Sequence, residues 1–462
     1  MQTNNPRHVR SESESHSRPL GDFAQAHSIS PPVRRPIPQE FVQHHPAAIM
    51  KRTHLFTYLF TFIIGFQFTC PSKAFANEAA KPSSPNNCED QKPNHPKFSW
   101  DTIPLYMHIR KATAYSDEEL NFLAKFPLIT FEKANGHRDY GSIEAGTLAA
   151  ARAVKAINPD TTILYYRNVI VHYQGYEADK ELEQIPDAFL HDSNGRTNLI
   201  RNRLEAYDLS NESVRRWWVR ACQDVTSSPH IDGVFLDGNV KALEPNFLRN
   251  QIGASRKDET IDGYHSLTKQ TREAIGPDKL MVANILRARF DNAGLEYLDT
   301  FDGSYLEGFF HNVEGVSYEE YVAKGIDAMQ QAARQGKIIA FTSGMIPPGA
   351  ETRNTSVLGI DEPHRIAGSD DQTKSSLVYP LAIFLICAEK HSYFRIHEGY
   401  SADENTRWMR WFPEYDRPLG PPKGPAQRDG FRYSRSFQHA TVSVDLENRN
   451  AEIQWHKNRG DK

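Results

Sequence analysis

Residues 232–237 read DGVFLD, two acids enclosing Gly233, Val234, Phe235 and Leu236, with Gly238 directly after. A short apolar run closed by an acid and a glycine is what a strand looks like when both its faces are covered and it ends in a tight turn. Strands of that kind belong to parallel sheets sheathed by helices, and the sequence repeats the pattern on both sides. Upstream lie 103–109 (IPLYMHI), 127–131 (PLITF) and 162–170 (TILYYRNVI). Downstream lie 279–286 (KLMVANIL), 301–309, 337–342 (KIIAFT) and 392–397 (SYFRIH). Amphipathic segments separate them, at 116–125, 142–157, 211–225, 264–274, 317–335 and 373–389. In the third of these Val214, Trp217, Trp218, Ala221, Cys222 and Val225 recur at helical spacing. In the fifth, Ser317 with Glu320 forms a capping box. Eight strands alternating with helices predict an α/β fold, a (β/α)8 TIM barrel over 98–412. A doubly wound open sheet is the competing topology. It would carry a glycine-rich phosphate turn, and no GxGxxG or GxxxxGK occurs.

The flanks differ in character. From 413 to 427 the chain is rich in Pro and Gly; then 431–437, 440–446 and 451–455 alternate at period two. They predict a small C-terminal antiparallel β cap within 413–462. Residues 1–49 are polar, without apolar period, and read as disordered or as an extension ahead of a true start at Met50. Residues 50–76 read as a signal peptide: Lys51 and Arg52, an apolar run over 55–68, then Ala74-Phe75-Ala76. That run is shorter than the ~20 residues of a spanning helix. A secreted or periplasmic protein is therefore expected, with no stable membrane span after cleavage, and with 77–97 as a linker. Cys88, Cys222 and Cys387 would remain, an odd number that leaves a free thiol; Cys222 and Cys387 sit in apolar helical stretches and read as core residues.

Composition narrows the function. Lys+Arg total 54 and Asp+Glu 58, a net charge of −4, which argues against a nucleic-acid partner. No CxxC, HxH or HExxH spacing occurs, so neither metal nor other cofactor is expected; no GxSxG elbow marks a serine hydrolase. The sequence leaves the oligomeric state open.

Functional groups of such a barrel gather at the C-terminal ends of its strands. Polar residues at those ends are Glu132, Arg167, Asn168, Asp237, Asn239, Asn284, Arg287, Tyr305, Glu307, Thr342, Ser343, Arg395, His397 and Glu398. Asp237 and Glu307 stand out, each an acid after an apolar run and before a glycine. Paired carboxylates across a barrel mouth are what glycoside hydrolysis needs: one to attack or stabilise the oxocarbenium centre, one to protonate the leaving oxygen. Glu132, Arg167, Asn168, Asn239, Asn284, Tyr305, Arg395 and His397 are the candidate substrate-binding residues. Arg167 or Arg395 would supply the positive charge that keeps Asp237 ionised while Glu307 holds its proton. Trp408, Trp411, Phe412 and Tyr415 either stack on sugar faces or pack the β cap against the barrel.

Asp208-Leu-Ser-Asn-Glu-Ser-Val-Arg-Arg-Trp-Trp, followed some twenty residues on by DGVFLD, resembles the segment leading into strand four of the α-galactosidase-like barrel glycosidases. Later, SYLEGF resembles their strand-six acid region. Over about 98–455 the chain looks most like hypothetical glycosyl hydrolase family 15. The resemblance implies Asp237 as nucleophile, Glu307 as general acid/base and a retaining mechanism. Two positions depart from the superfamily: Glu212 follows Asn211 where proline is common, and the strand-six acid is Glu instead of the Asp of α-galactosidases. The expectation is an exported glycoside hydrolase acting on a poly- or oligosaccharide. The alternatives are a non-catalytic carbohydrate-binding TIM barrel and a metal-dependent barrel hydrolase with His ligands.

Overall fold

A computed structural model describes residues 94–310, 315–346, 370–396, 399–403 and 407–456, without the side chains of 370–375. The segments 1–49 and 50–76, most of 77–97, Cys88, His397 and Glu398 lie outside the described residues. Eight strands run β1 (Tyr106–Ile109), β2 (Leu128–Phe131), β3 (Thr162–Asn168), β4 (Gly233–Asp237), β5 (Leu280–Asn284), β6 (Gly303–Leu306), β7 (Ile338–Ser343) and β8 (Ser392–Ile396). Each pairs in parallel with the next, in chain order. A parallel bridge from Leu105 to Phe394 brings β8 back beside β1. The fold is a (β/α)8 barrel.

Among the described residues ten α-helices accompany the strands. They are α1 (Asp117–Leu123), α2 (His137–Tyr140), α3 (Ile143–Ile157), α4 (Asp179–Leu182), α5 (Glu212–Thr226), α6 (Asn239–Leu243), α7 (Arg249–Ile252), α8 (Ala254–Ile275), α9 (Tyr318–Arg334) and α10 (Asp370–Cys387). The capping box read from Ser317 and Glu320 opens α9. Helix α8 starts ten residues before the apolar pattern does. Its first turns, 254–262, are polar, and they are fixed instead by buried Lys257, which donates to the Lys241 and Ala242 carbonyls at the end of α6.

Strand alternation sorts the side chains into two cores. Inside the barrel Tyr106, Leu128, Leu164, Tyr166, Phe235, Val282, Tyr305 and Tyr393 form one buried cluster. The intervening residues, such as Ile129, Tyr165 and Val234, belong to the larger core beneath the helices. Phe98 packs on the inner cluster, and the Pro96 carbonyl accepts from the Tyr393 hydroxyl at 2.9 Å, so 96–98 lie against the barrel interior. Cys222 and Cys387 are buried free thiols.

Four further strands, β9 (Gln427–Asp429), β10 (Arg432–Ser436), β11 (Ala440–Asp445) and β12 (Asn450–Trp455), form the antiparallel cap in the order β12-β11-β10-β9. The sequence pattern missed β9, three exposed residues with no alternation to read. A buried side chain also ties the cap to α10. Arg435 donates to the carbonyls of Leu385, Ile386 and Ala388 and pairs with Glu389. It thereby satisfies the orphan acceptors of a helix C-terminus and complements its dipole.

Candidate active site

Four adjacent strands, β3 to β6, set the site. Register places Asn168 of β3 beside Asp237 of β4, and Asn284 of β5 beside Tyr305 of β6. Asp237 closes β4, and Gly238 takes the turn at φ +79°. A Cβ there would lie 2.5 Å from the Asn168 side-chain oxygen, so glycine is required for both conformation and space. Asp237 Oδ2 accepts from the Tyr166 hydroxyl at 2.6 Å and from Asn168 Nδ2 at 3.2 Å. Asp237 Oδ1 accepts from Asn284 Nδ2 at 3.1 Å, and the same nitrogen donates to Glu307 Oε2 at 2.9 Å. The two carboxylate oxygens are thus no farther apart than the sum of 3.1 and 2.9 Å, about 6 Å. Arg287 donates to Asn284 Oδ1, which orients the amide with its NH2 toward both acids. Arg287 also reaches Glu307 Oε2 at 3.2 Å, and the Tyr400 hydroxyl donates to Glu307 Oε1 at 2.9 Å.

Electrostatics favours an ionised Asp237. Burial alone would raise its pKa. Lys241 and Lys133 nearby, with the bonds from Tyr166 and the Gly238 amide, outweigh that and hold it at about 2. The cations are therefore these two lysines, where the sequence suggested Arg167 or Arg395. Arg167 lies between Tyr166 and Asn168 on β3; with those two turned to the site, it points outward. Its guanidinium lies over the rings of Tyr176, Trp217 and Trp218 at 4.4, 5.1 and 5.7 Å. Arg395 is buried over the Phe126 ring at 5.3 Å and donates to the Trp408 carbonyl. Neither has a described contact with Asp237 or Glu307.

The other candidates divide. Asn168 and Asn284 hold the acids. Asn239 is buried beneath them, donating to the Leu236 carbonyl at 2.7 Å and accepting from Tyr264 at 2.9 Å, so it braces β4 against α8. Tyr305 stands behind Tyr400, with 2.8 Å between hydroxyls. Glu132 is buried one residue beyond β2, paired with Arg110 at 2.5 Å and with Lys133. Burial would raise its pKa, but Lys133 and Arg110 together hold it below the usual range. His108 on β1 packs among Phe235, Tyr305 and Tyr400 at 4.9–5.2 Å, and burial lowers its pKa to about 4. Trp408, Phe412 and Tyr415 are buried, Trp408 against Phe122 and Tyr415 against Phe394, so they pack the C-terminal region on the barrel. Among the described residues no group of three His, Cys, Asp or Glu is placed to hold a metal ion. None of their helices is long and apolar enough to cross a membrane.

Sequence reading missed Tyr166, Lys133, Arg110 and Tyr400 as site residues. Lys133 lies 5.0 Å from the rings of both Tyr166 and Tyr173. Its neighbourhood opens into a groove of about 600 Å³ over the ends of β1 to β3, lined by Arg110, Lys133, His172, Tyr173, Asn198 and Arg203 among others.

Acids, amides and basic residues thus gather at the C-terminal mouth of a (β/α)8 barrel, a fold that hosts many chemistries, so sequence kinship has to set the class. The chain belongs to hypothetical glycosyl hydrolase family 15, whose sequence pattern matches residues 155–441. Solved structures similar to it include the glycoside hydrolase domain of PelA from Pseudomonas aeruginosa, at 15% identity, covering 53% of this chain and 84% of that one, TM-score 0.34. The maltogenic α-amylase AmyB from Thermotoga neapolitana aligns at 13% identity over 78% of this chain and 95% of its own, TM-score 0.42. The α-galactosidase AgaA from Geobacillus stearothermophilus aligns at 9% identity over 74% of this chain, TM-score 0.40, and the match spans 47% of its length. No curated protein matches the chain.

Proposed function

We propose that this chain is an exported, retaining glycoside hydrolase acting on a poly- or oligosaccharide, with Asp237 as nucleophile and Glu307 as general acid/base. The observation that carries the proposal is the shared amide of Asn284, which limits the nearest carboxylate oxygens to about 6 Å. That ceiling lies below the spacing of inverting pairs. Retaining pairs stand ~5–5.5 Å apart and inverting pairs ~6.5–9.5 Å. Asp237, ionised and aimed by Tyr166 and Asn168, attacks the anomeric carbon. Glu307 gives its proton to the departing glycosidic oxygen. The glycosyl ester on Asp237 is then opened by water, whose proton returns to Glu307.

The test is a polysaccharide panel read by released reducing ends, with Asp237→Asn alongside the parent protein. Activity confined to the parent supports the assignment. Equal activity in the variant removes Asp237 from the chemistry. The anomer first released, read by proton NMR, must keep the substrate's configuration; the opposite anomer would make the enzyme inverting. Export is tested separately, by sequencing the N-terminus of secreted protein: a start near Asn77 supports it, and a mature chain retaining Arg10 refutes it.

A further inference from the structure

The two oxygens of Glu307 have partners of different kinds. Oε2 accepts from the Arg287 guanidinium at 3.2 Å and from the Asn284 amide at 2.9 Å. Those nitrogens donate and cannot accept, so a proton on Oε2 would point into N–H groups. Oε1 accepts from the Tyr400 hydroxyl at 2.9 Å. A hydroxyl can turn and accept instead. Behind it the Tyr305 hydroxyl lies 2.8 Å away, and either of that pair can be the donor. Burial pushes both phenols far above their ordinary range, so both stay neutral and keep their hydrogens. Among the described residues, charged and titratable groups around Glu307 are His108 on β1, Asp237 on β4, Arg287 after β5, Tyr305 on β6 and Tyr400 after β8.

We propose that Oε1 is the oxygen of Glu307 that carries the proton, and that Tyr400, backed by Tyr305, is a positioning residue whose hydroxyl donates to the ionised carboxylate and reverses to accept from Oε1–H while no substrate is bound. This rests on Glu307 being the general acid/base. When Glu307 is ionised, Tyr400 donates to Oε1. When Oε1 is protonated and no substrate is bound, Tyr400 turns its hydrogen to the Tyr305 oxygen and accepts from Oε1–H. No proton leaves either phenol; only O–H bonds rotate. When a glycosidic oxygen arrives, Oε1–H turns to it and Tyr400 donates to Oε1 once more. The carboxylate is then hydrogen-bonded as soon as it forms. Arg287 and Asn284 hold Oε2 throughout, so the carboxyl group cannot rotate to exchange its oxygens.

The test is infrared difference titration of the full chain. The protonated-carboxyl band of Glu307 is assigned as the one absent from Glu307→Gln. In Tyr400→Phe the ionised form loses a charge-assisted bond and the protonated form only a weaker neutral one, so the band should persist to higher pH, by up to about one unit. The pH–activity profile on the polysaccharide found by the panel should move its alkaline limb the same way, with kcat reduced about tenfold. Tyr305→Phe should move both in the same sense by less. A band and limb that stay in place in a folded Tyr400→Phe, whatever its activity, would overturn the proposal. Should Tyr400→Phe fail to fold, Tyr305→Phe decides alone: a displaced band supports the relay and an unmoved one refutes it. Failure of the underlying assignment looks different, because Glu307→Gln would then keep full activity on the panel.

Discussion

Glu132 and Glu307 occupy equivalent places on facing sides of the barrel, each one residue past an apolar strand. They have been given opposite surroundings. The Glu132 side chain is 3% exposed and lies between two cations, Arg110 and Lys133. The Glu307 side chain is 36% exposed and shares one amide with a second carboxylate, one guanidinium with that amide, and one hydroxyl with a tyrosine pair. An anion between two cations in a buried site is held in one charge state. A carboxyl group with a reversible hydroxyl on one oxygen can pass through two. Position at a strand end therefore marks which acids face the mouth, and the partners decide which of them can exchange a proton.

The largest expected effect falls on the Glu307 side. Asp237→Asn and Glu307→Gln should each lower kcat by about 10⁴-fold or more, the scale on which removal of a group acting in the chemical step is felt. Glu132→Gln should leave activity measurable in whatever fraction stays folded. If Glu132→Gln silenced a folded enzyme as completely as Glu307→Gln, the contrast between the two sides would fail.

Stability should show the reverse order. Glu132→Gln removes the carboxylate that Arg110 and Lys133 share, and breaking a buried pair from one side costs roughly 3–5 kcal/mol. Urea unfolding at neutral pH measures this. The sign with pH is set by the direction of the shift. Because Glu132 is held below the ordinary glutamate range, its contribution is present above that range and is lost as pH falls from it through the lowered pKa. A variant as stable as the parent would mean that the cluster contributes nothing to the fold.

The barrel was legible because its strands are short apolar runs closed by polar residues, as in DGVFLD, and because α5 and α9 carry clean helical stripes. Helix α8 was cut short because its first turns are anchored by a buried lysine instead of an apolar stripe, and β9 has too few residues to show a period. In the site, the acid-plus-glycine signature exposed Asp237 and Glu307. Asn168 and Asn284 were found by strand position. Tyr166 was not, because it reads as one more core aromatic until register sets it beside Phe235 of β4 with its hydroxyl on Asp237. Tyr400 lies past β8, outside any strand pattern. Arg167 was misplaced because polarity at a strand end was weighed without alternation, which turns it away from the mouth.

His108 carries the comparison to the barrel floor between the two acids. Its pKa is lowered to about 4 by burial, against about 6.5 when unfolded. The unfolded chain therefore binds the extra proton first. This contribution to stability is full above pH ~6.5 and is lost as pH falls toward 4, by up to about 3 kcal/mol. His108→Gln should flatten the fall in unfolding free energy between those pH values. An unchanged slope would show that the ring is reached by water and does not share the dry floor beneath the acids.

The smallest effect belongs to the groove on the Glu132 side. Arg203 is exposed there, among Arg110, Lys133, His172 and Tyr173, in a groove whose lining includes neither Asp237 nor Glu307. Replacing it by Gln should change stability by less than about 0.5 kcal/mol, as for most surface substitutions. A contact to bound saccharide made equally in the ground state and the transition state raises KM and leaves kcat alone. One such hydrogen bond is worth roughly 0.5–1.5 kcal/mol, so KM should rise about 2- to 10-fold. Steady-state kinetics of Arg203→Gln beside Tyr400→Phe then separates the two sides, KM moving in one and kcat in the other. A fall in kcat on replacing Arg203 would carry the chemistry across the barrel mouth and dissolve the division between a binding side and a reacting side.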